Sequence, residues 1–283
     1  MAKKRKRRSR RRSRSRGMPS WLPIALVSAV VILVIGGFIV LYLSSKPGSQ
    51  KASCSLIIDR TNSVLTPETT SVYHRLANDA VTQCSQLDGT LTLWAIQQSG
   101  VQSEMKGTWP LYGVGRNGPI RDRSKSQEEA AANQAISSVL SEGAGNKSGG
   151  SNIVGAINAA AATMNNQSSQ SGVTAKYMVV LTDGMQLSDG VSVKSLSSIT
   201  DDPRVLVNNA LRVESPFSVH GINISFLGVK SGQMASNGQQ LPLWFEQKVG
   251  IFWSELVRVG QGKSCLYSND TASGVVLLNC GAK

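Results

Sequence analysis

Histidine is scarce in this chain: 283 residues contain two, His74 and His220. The four cysteines are spread through the chain, with no C-x-x-C pair and no Cys/His cluster. A zinc site is therefore not expected. No Ser–His–Asp arrangement is signalled either, so nothing points to a serine hydrolase. His74 falls in an expected helix and His220 near an expected strand start, and both read as structural or exposed. Aromatic residues make up 5% of the chain, and none of them interleaves the basic segment at residues 3–16. That segment, KKRKRRSRRRSRSR, carries eleven Lys and Arg and no acid. Without rings to stack bases it is a weak nucleic-acid signal, and nucleic acid is not the expected partner. Removing its eleven charges from the formal net +13 leaves about +2 for everything else. The basic character belongs to the tail, which excludes reading the globular part as a basic nucleic-acid-binding domain.

Charge is absent again from Met18 to Ser45. The apolar centre, Leu22 to Leu43, is 22 residues long. As a helix rising about 1.5 Å per residue it spans ~33 Å, enough for a ~30 Å hydrocarbon core. Trp21 and Tyr42 stand at its ends, where amphipathic rings favour the headgroup zone. Pro23 falls in the first turn, where a missing N–H does little harm. A cleavable signal peptide has a shorter apolar core and a small-residue site, and no Ala-x-Ala stands between the run and Cys54. A lipoprotein signal at Cys54 fits poorly, since Lys51 precedes it and the apolar run ended well upstream. Residues 18–45 are expected to be a retained transmembrane helix. Between the helix and residue 60 the only cations are Lys46, Lys51 and Arg60. The positive-inside rule then puts residues 1–17 in the cytoplasm, disordered and lying on anionic lipid headgroups. Residues 46–283 fall outside, and all four cysteines with them: Cys54, Cys84, Cys265 and Cys280. An even count in an oxidising compartment suggests two disulfides, for which three connectivities are open.

Residues 46–53 read as a polar linker, 54–262 as one α/β domain and 263–283 as a β-rich C-terminal tail. The patterns alternate. Cys54–Ile58 (CSLII), Thr90–Ile96 (TLTLWAI), Lys176–Thr182 (KYMVVLT) and Val219–Val229 read as strands. Thr66-Pro67-Glu68 opens a helix running to about Gln86, with a Thr cap, Pro at the first position and an acid in the first turn. Further helices are expected over Ser124–Ser141, Asn152–Asn165, a short one near 203–213, and Pro242–Val259. Trp244, Phe245, Phe252 and Trp253 in the last of these read as core-facing. Gln97–Asp122, rich in Gly, Pro and aromatics, reads as an irregular insertion. Strands alternating with helices imply parallel crossovers and a sheet covered on both faces. Ligands of such sheets bind outside the carboxyl ends of the strands, at a topological switch point.

Two strands end in an aspartate and a polar loop: Asp59-Arg60-Thr61-Asn62-Ser63 and Thr182-Asp183-Gly184. Between them Gly149-Gly150-Ser151-Asn152-Ile153 leads into a helix. Two carboxylates with several hydroxyls make a hard oxygen site suited to Mg²⁺, Mn²⁺ or Ca²⁺. Arg60, inside the first element, reads as a solvated side chain alternating away from Asp59 and Thr61.

These elements resemble the von Willebrand factor A (integrin I-like) domain and its metal-ion-dependent adhesion site. That motif is D-x-S-x-S after the first strand, a loop threonine, and a strand-end T-D-G. Here it reads Asp59-x-Thr61-x-Ser63, Ser151, and Leu181-Thr182-Asp183-Gly184. Thr61 and Ser151 depart from the pattern but keep the hydroxyl. The resemblance covers roughly residues 53–262. It implies a Rossmann-like, doubly wound, mostly parallel sheet flanked by helices. It also implies a divalent cation, Mg²⁺ or Ca²⁺/Mn²⁺, held by Asp59, Thr61, Ser63, Ser151 and Asp183, and completed by an acidic side chain from a protein partner. In that fold the expected disulfides are Cys54–Cys84 and Cys265–Cys280, the latter closing a hairpin of Cys265–Asp270 and Gly274–Leu278. The expectation is a single-pass membrane protein whose outer domain binds a protein ligand, and not an enzyme. A metal-free structural subunit of an envelope assembly is the alternative. A Mg²⁺-dependent hydrolase is weaker, because no second acid stands at i+2 of Asp59 and no Lys or His base is apparent.

Overall fold

The computed structural model describes Ile35 and residues 50–60, 67–96, 103–113, 118–142, 151–188, 191–198, 200–228 and 242–268. The chain divides into two units, Met1–Lys46 and Pro47–Lys283, and the α/β fold belongs to the second. The basic tail and the expected transmembrane helix lie outside the described residues, apart from Ile35. Among the described residues no helix is long and apolar enough to cross a membrane.

Two short apolar runs set the centre. Strands β1 (Ala52–Asp59) and β2 (Gly89–Ile96) are buried along their whole lengths. Such runs suit strands covered on both faces. Helix α1 (Pro67–Gln86) connects them and returns the chain so that β2 pairs parallel to β1. Strand β3 (Ser103–Pro110) then pairs antiparallel with β2, and helix α2 (Gly118–Glu142) comes next. Helix α3 (Ile153–Ser171) leads to β4 (Ala175–Leu181), which pairs parallel with β1 on its other side. A two-stranded ribbon of β5 (Leu187–Ser188) and β6 (Val191–Ser192) precedes a 3₁₀ turn at Val193–Ser197. Helix α4 (Pro203–Val213), strand β7 (Asn223–Leu227), helix α5 (Leu243–Val259) and strand β8 (Lys263–Ser268) complete the described order.

Among the described residues the main sheet has six strands in the order β3-β2-β1-β4-β7-β8. Only β3 runs antiparallel. Side chains alternate across it, as the pleat requires. Leu56 and Ile58 face α1 and α2, with Tyr73, Leu76, Ile136 and Leu140 in one core. Ile57 faces α3, α4 and α5, with Ile157, Val207, Phe252 and Trp253 in the other. The fold is thus a mostly parallel α/β sheet with helices on both faces, as the resemblance implied. Phe245, Phe252 and Trp253 are buried as expected, and Trp244 is partly buried against the same core.

Two expectations need correction. Gln97–Asp122 is not wholly irregular, because it contains β3 and the start of α2. The strand SEMKGTWP carries no readable signal because it forms an edge: its side chains are exposed or half-buried, so it has no apolar run. The C-terminal segment is not wholly a separate hairpin. Lys263–Ser268 pairs parallel with β7 and extends the main sheet. A parallel edge strand reached through a crossover helix looks the same in sequence as a hairpin arm. The second expected arm, Gly274–Leu278, lies outside the described residues.

The expected Cys54–Cys84 disulfide is present, with a Cα–Cα distance of 6.2 Å. It ties the early part of β1 to the end of α1, remote from the Asp59 end. Cys265 is also disulfide-bonded; its expected partner, Cys280, lies outside the described residues.

Candidate metal centre

Strands β1 and β4 are neighbours, but their chains leave in opposite directions. The chain after β1 passes to α1 and β2 on one side, whereas β4 gives way to β7 on the other. Their carboxyl ends therefore form the switch point where an open α/β sheet receives a ligand. Asp59 is the last residue of β1 and is fully buried. Thr182 and Asp183 come directly after β4 and are buried too.

Both Asp59 oxygens accept hydroxyl hydrogen bonds. Oδ1 takes the Ser151 hydroxyl at 3.0 Å and Oδ2 takes the Thr182 hydroxyl at 2.9 Å. The direction at Thr182 is fixed by chemistry. Its oxygen also accepts the Gly184 N–H at 3.1 Å, and an amide can only donate. The Thr182 proton therefore points to Asp59. At Ser151 the proton is likewise committed to a carboxylate. Asp183 Oδ1 accepts the Met185 N–H at 2.9 Å within its own turn.

The start of α3 holds Ser151 in place. Asn152 caps this helix: its Oδ1 accepts the Gly155 N–H at 2.9 Å and its Nδ2 donates to Glu214 Oε1 at 3.0 Å. A Cβ at Gly155 would lie 2.4 Å from Asn152 Nδ2, so the cap needs glycine there. Gln186, 1% exposed, joins this cap to the Thr182–Asp183 turn. Its Oε1 accepts the Val154 N–H at 3.0 Å and its Nε2 donates to Asn152 Oδ1 at 3.3 Å. Trp253 donates its indole N–H to Gly184 O at 3.1 Å from the opposite helix.

Tyr73 reaches the end of β7, next to the turn that carries Asp183. Thr182 N–H donates to Leu227 O at 3.0 Å, which brings the end of β7 beside the end of β4. Gly228 is next in the chain, at φ +84°, and a Cβ there would lie 2.6 Å from the Tyr73 hydroxyl. The phenol is 1% exposed and its hydroxyl has no hydrogen-bond partner among the described residues. Burial, then the negative charges of Asp183 and Asp59, push its pKa well above the usual tyrosine range. It remains a protonated donor.

Of the five residues expected to ligate a cation, Asp59, Ser151 and Asp183 share this strand-end site, whereas Thr61 and Ser63 lie outside the described residues. Arg60 is a correction. Its side chain is 12% exposed rather than solvated, and Nη1 pairs with Glu142 Oε2 at 3.1 Å. Glu142 also meets Lys106 Nζ at 3.8 Å, so the first turn of the motif is tied to the end of α2 and to β3. The two histidines stand apart from the site, as expected. His74 Nε2 bonds the Ser137 hydroxyl at 2.8 Å and His220 Nδ1 bonds Gln261 Oε1 at 3.0 Å.

The residues fit a hard divalent cation by their donor chemistry. Carboxylate and hydroxyl oxygens converge at Asp59, and the buried Tyr73 hydroxyl, without a hydrogen-bond partner among the described residues, lies against Gly228 at the end of β7. Among the described residues no three or more His, Cys, Asp or Glu side chains cluster for a metal. A site of two carboxylates supplemented by neutral hydroxyls contains no such cluster. Four contributors cannot be assigned from sequence. Thr182 is visible inside T-D-G, but its bond to Asp59 depends on pairing β1 with β4. Gln186, Trp253 and Tyr73 carry no motif: Trp253 and Tyr73 come from helices packed on the sheet, and the bonds of Gln186 form only where its loop meets the start of α3.

No family model matches the chain, and no curated protein matches it. Solved structures similar to it include an aerotolerance-related membrane protein from Bacteroides fragilis, at 16% identity and TM-score 0.44, covering 79% of this chain and 94% of that one. A von Willebrand factor type A protein from Catenulispora acidiphila matches at 14% identity and TM-score 0.42, covering 80% of this chain and 40% of that one. The PilB minor pilin from Streptococcus sanguinis matches at 12% identity and TM-score 0.46, covering 79% and 58%. In the second and third the match spans less than two thirds of the other protein. At these identities none of the three transfers a ligand or a role to this chain.

Proposed function

We propose that this domain is a von Willebrand factor A-like binding module that holds a divalent cation, Mg²⁺ or Ca²⁺/Mn²⁺, and through it the acidic side chain of a protein partner. The observation that carries the reading is the buried Asp59 carboxylate drawing the Ser151 and Thr182 protons to itself at the switch point. The Asp59 carboxylate takes the Ser151 proton and so polarises that hydroxyl. Ser151 would ligate the cation directly, with Thr61 and Ser63 as the expected further hydroxyls. Asp59 and Asp183 would supply the balancing charge. The bound cation supplies Lewis acidity toward an incoming carboxylate. With only two carboxylates in its surroundings it keeps charge to attract that ligand.

Binding rather than turnover is proposed, since neither histidine stands at the site. The chain would present this face from a membrane through residues 22–43, with residues 1–17 on the cytoplasmic side and the domain outside.

The test is calorimetric titration of Mg²⁺, Mn²⁺ and Ca²⁺ into the protein, then capture of partners from intact membranes with and without a chelator. Wild type is expected to bind a cation, and Asp59→Ala to lose both cation and capture. Equal capture by Asp59→Ala, and in chelator, would sink the reading. The second reading, a metal-free structural subunit, is favoured by one fact: each Asp59 oxygen already has a hydroxyl partner within the chain. Wild type that takes up none of the three cations would support it.

A further inference from the structure

We propose that Tyr73 is a positioning residue of the cation site: in the cation-loaded domain its hydroxyl donates a hydrogen bond to the Asp183 carboxylate and orients it toward the cation. This inference rests on the cation-binding reading and adds a residue to it. Nothing in the sequence motif includes Tyr73, which lies on α1 beyond the loop that carries Thr61 and Ser63.

The argument starts from an unpaired group. A buried hydroxyl without a partner is costly, and native cores rarely keep one unless it serves something else. Phenylalanine would fill the same space without that cost. Tyr73 is 1% exposed and sits in the apolar core with Leu76, Leu181 and Leu227. Its ring could have ended in that core. Instead its polar end reaches the end of β7, where Gly228 makes room for it. The absence of a side chain at 228 matters twice. The φ of +84° favours glycine, and a Cβ would meet Tyr73 Cε1 at 2.4 Å and the hydroxyl at 2.6 Å. Through the Thr182 N–H to Leu227 O bond, this point lies beside the turn that carries Asp183.

The electrostatics agree with the geometry. The carboxylates of Asp183 and Asp59 both act on the phenol, Asp183 more strongly. A neutral phenol can give its proton to a carboxylate oxygen and has no charge to repel a cation. Asp183 Oδ1 is engaged by the Met185 N–H within the turn. A phenol donor would fix the carboxylate plane from a second direction. Outer-shell donors of this kind orient metal-binding carboxylates, and their loss typically weakens metal affinity by about 10- to 100-fold.

The experiment uses the full chain solubilised in detergent. Mn²⁺ affinity is measured by calorimetry for wild type, Tyr73→Phe and Gly228→Ala, and Tm is measured for each without cation. Tyr73→Phe is expected to bind Mn²⁺ about tenfold more weakly, with a cation-free Tm equal to or above that of wild type. Gly228→Ala, which pushes the phenol aside, is expected to show the same weakening with a lower Tm. A purely structural tyrosine would do the reverse: Tyr73→Phe would lower the Tm and leave the affinity alone. Equal Mn²⁺ affinity in wild type and Tyr73→Phe overturns this inference and leaves the cation-binding reading intact. Wild type that binds no Mn²⁺, Mg²⁺ or Ca²⁺ overturns both.

Discussion

Thr182 shows how much one hydroxyl can settle. It accepts from the Gly184 amide and donates to Asp59, so it joins the β4 turn to the end of β1 with one oxygen. Thr182→Val keeps the shape and removes both bonds. It leaves a buried carboxylate oxygen and a buried amide short of a partner, and hydrogen bonds to charged groups are worth about 1.5–3 kcal/mol. Urea denaturation of Thr182→Val should show a loss of about 2–3 kcal/mol with an unchanged m-value. Thr182→Ser keeps the hydroxyl and loses one methyl, for a cost of about 1 kcal/mol. Equal losses in the two variants would mean that packing, and not the hydroxyl, holds the turn. The same residue marks the limit of motif reading. T-D-G identifies Asp183 as a strand-end acid, but no spacing rule says that the threonine before it serves the aspartate of another strand.

At the level of elements, the site depends on where α3 begins. Helix starts leave backbone N–H groups without intrahelical partners, and here two are taken by side chains. Asn152 takes the Gly155 amide, and Gln186, from the loop after β4, takes the Val154 amide. Gln186→Ala should therefore raise amide hydrogen exchange at Val154 and Gly155 and cost about 1–3 kcal/mol, the penalty for an unmet buried amide. Exchange unchanged at both amides would show that the strap between the two loops is not needed.

Elements with apolar runs are legible in the sequence. β1, β2 and β4 lie within a residue or two of their expected bounds, as do α1 and α5. What is not legible is the strand β3, the parallel pairing of β8, whose residues read as a hairpin arm, and the ion pair of Arg60 with Glu142 at the far end of α2. Edges have no two-sided burial to imprint a pattern, and long-range ion pairs leave no periodicity. At the site itself, Asp59, Ser151 and Asp183 can be placed because each ends a strand or precedes a helix with recognisable residues. Tyr73 and Trp253 cannot, because each comes from a helix packed on the sheet, and Gln186 cannot, because its bonds to Val154 and Asn152 form only where the loop after β4 meets the start of α3.

At the scale of the whole molecule, the sheet has two ends with different tasks. Asp59 stands at the carboxyl end of β1, and Cys54, near its amino end, is bonded to Cys84 at the end of α1. The disulfide closes a segment of 30 residues and thereby constrains the unfolded chain. In the chain-entropy account this is worth about 3–4 kcal/mol. Removing it with Cys54→Ala and Cys84→Ala together should lower stability by about that amount while leaving Mn²⁺ affinity near wild type, because the bridge is remote from the cation end. Its presence also bears on topology. Disulfides persist in oxidising compartments and are rare in the cytosol. If the basic tail is cytoplasmic and the domain lies across the membrane, all four cysteines share the oxidising side. The check is maleimide labelling of the protein in lysates of cells that produce it, denatured in SDS so that burial does not shield thiols. Without reductant no label should enter. After reduction four thiols should label, the full cysteine count of the chain. Label entering all four cysteines before reduction would place the domain on the reducing side and reverse the orientation inferred from the tail. Label entering two would separate the Cys54–Cys84 bridge from the Cys265 bridge. The expected result would join two independent features of the chain, since the charge of residues 3–16 and the pairing of Cys54 with Cys84 have no common physical cause unless a membrane lies between them.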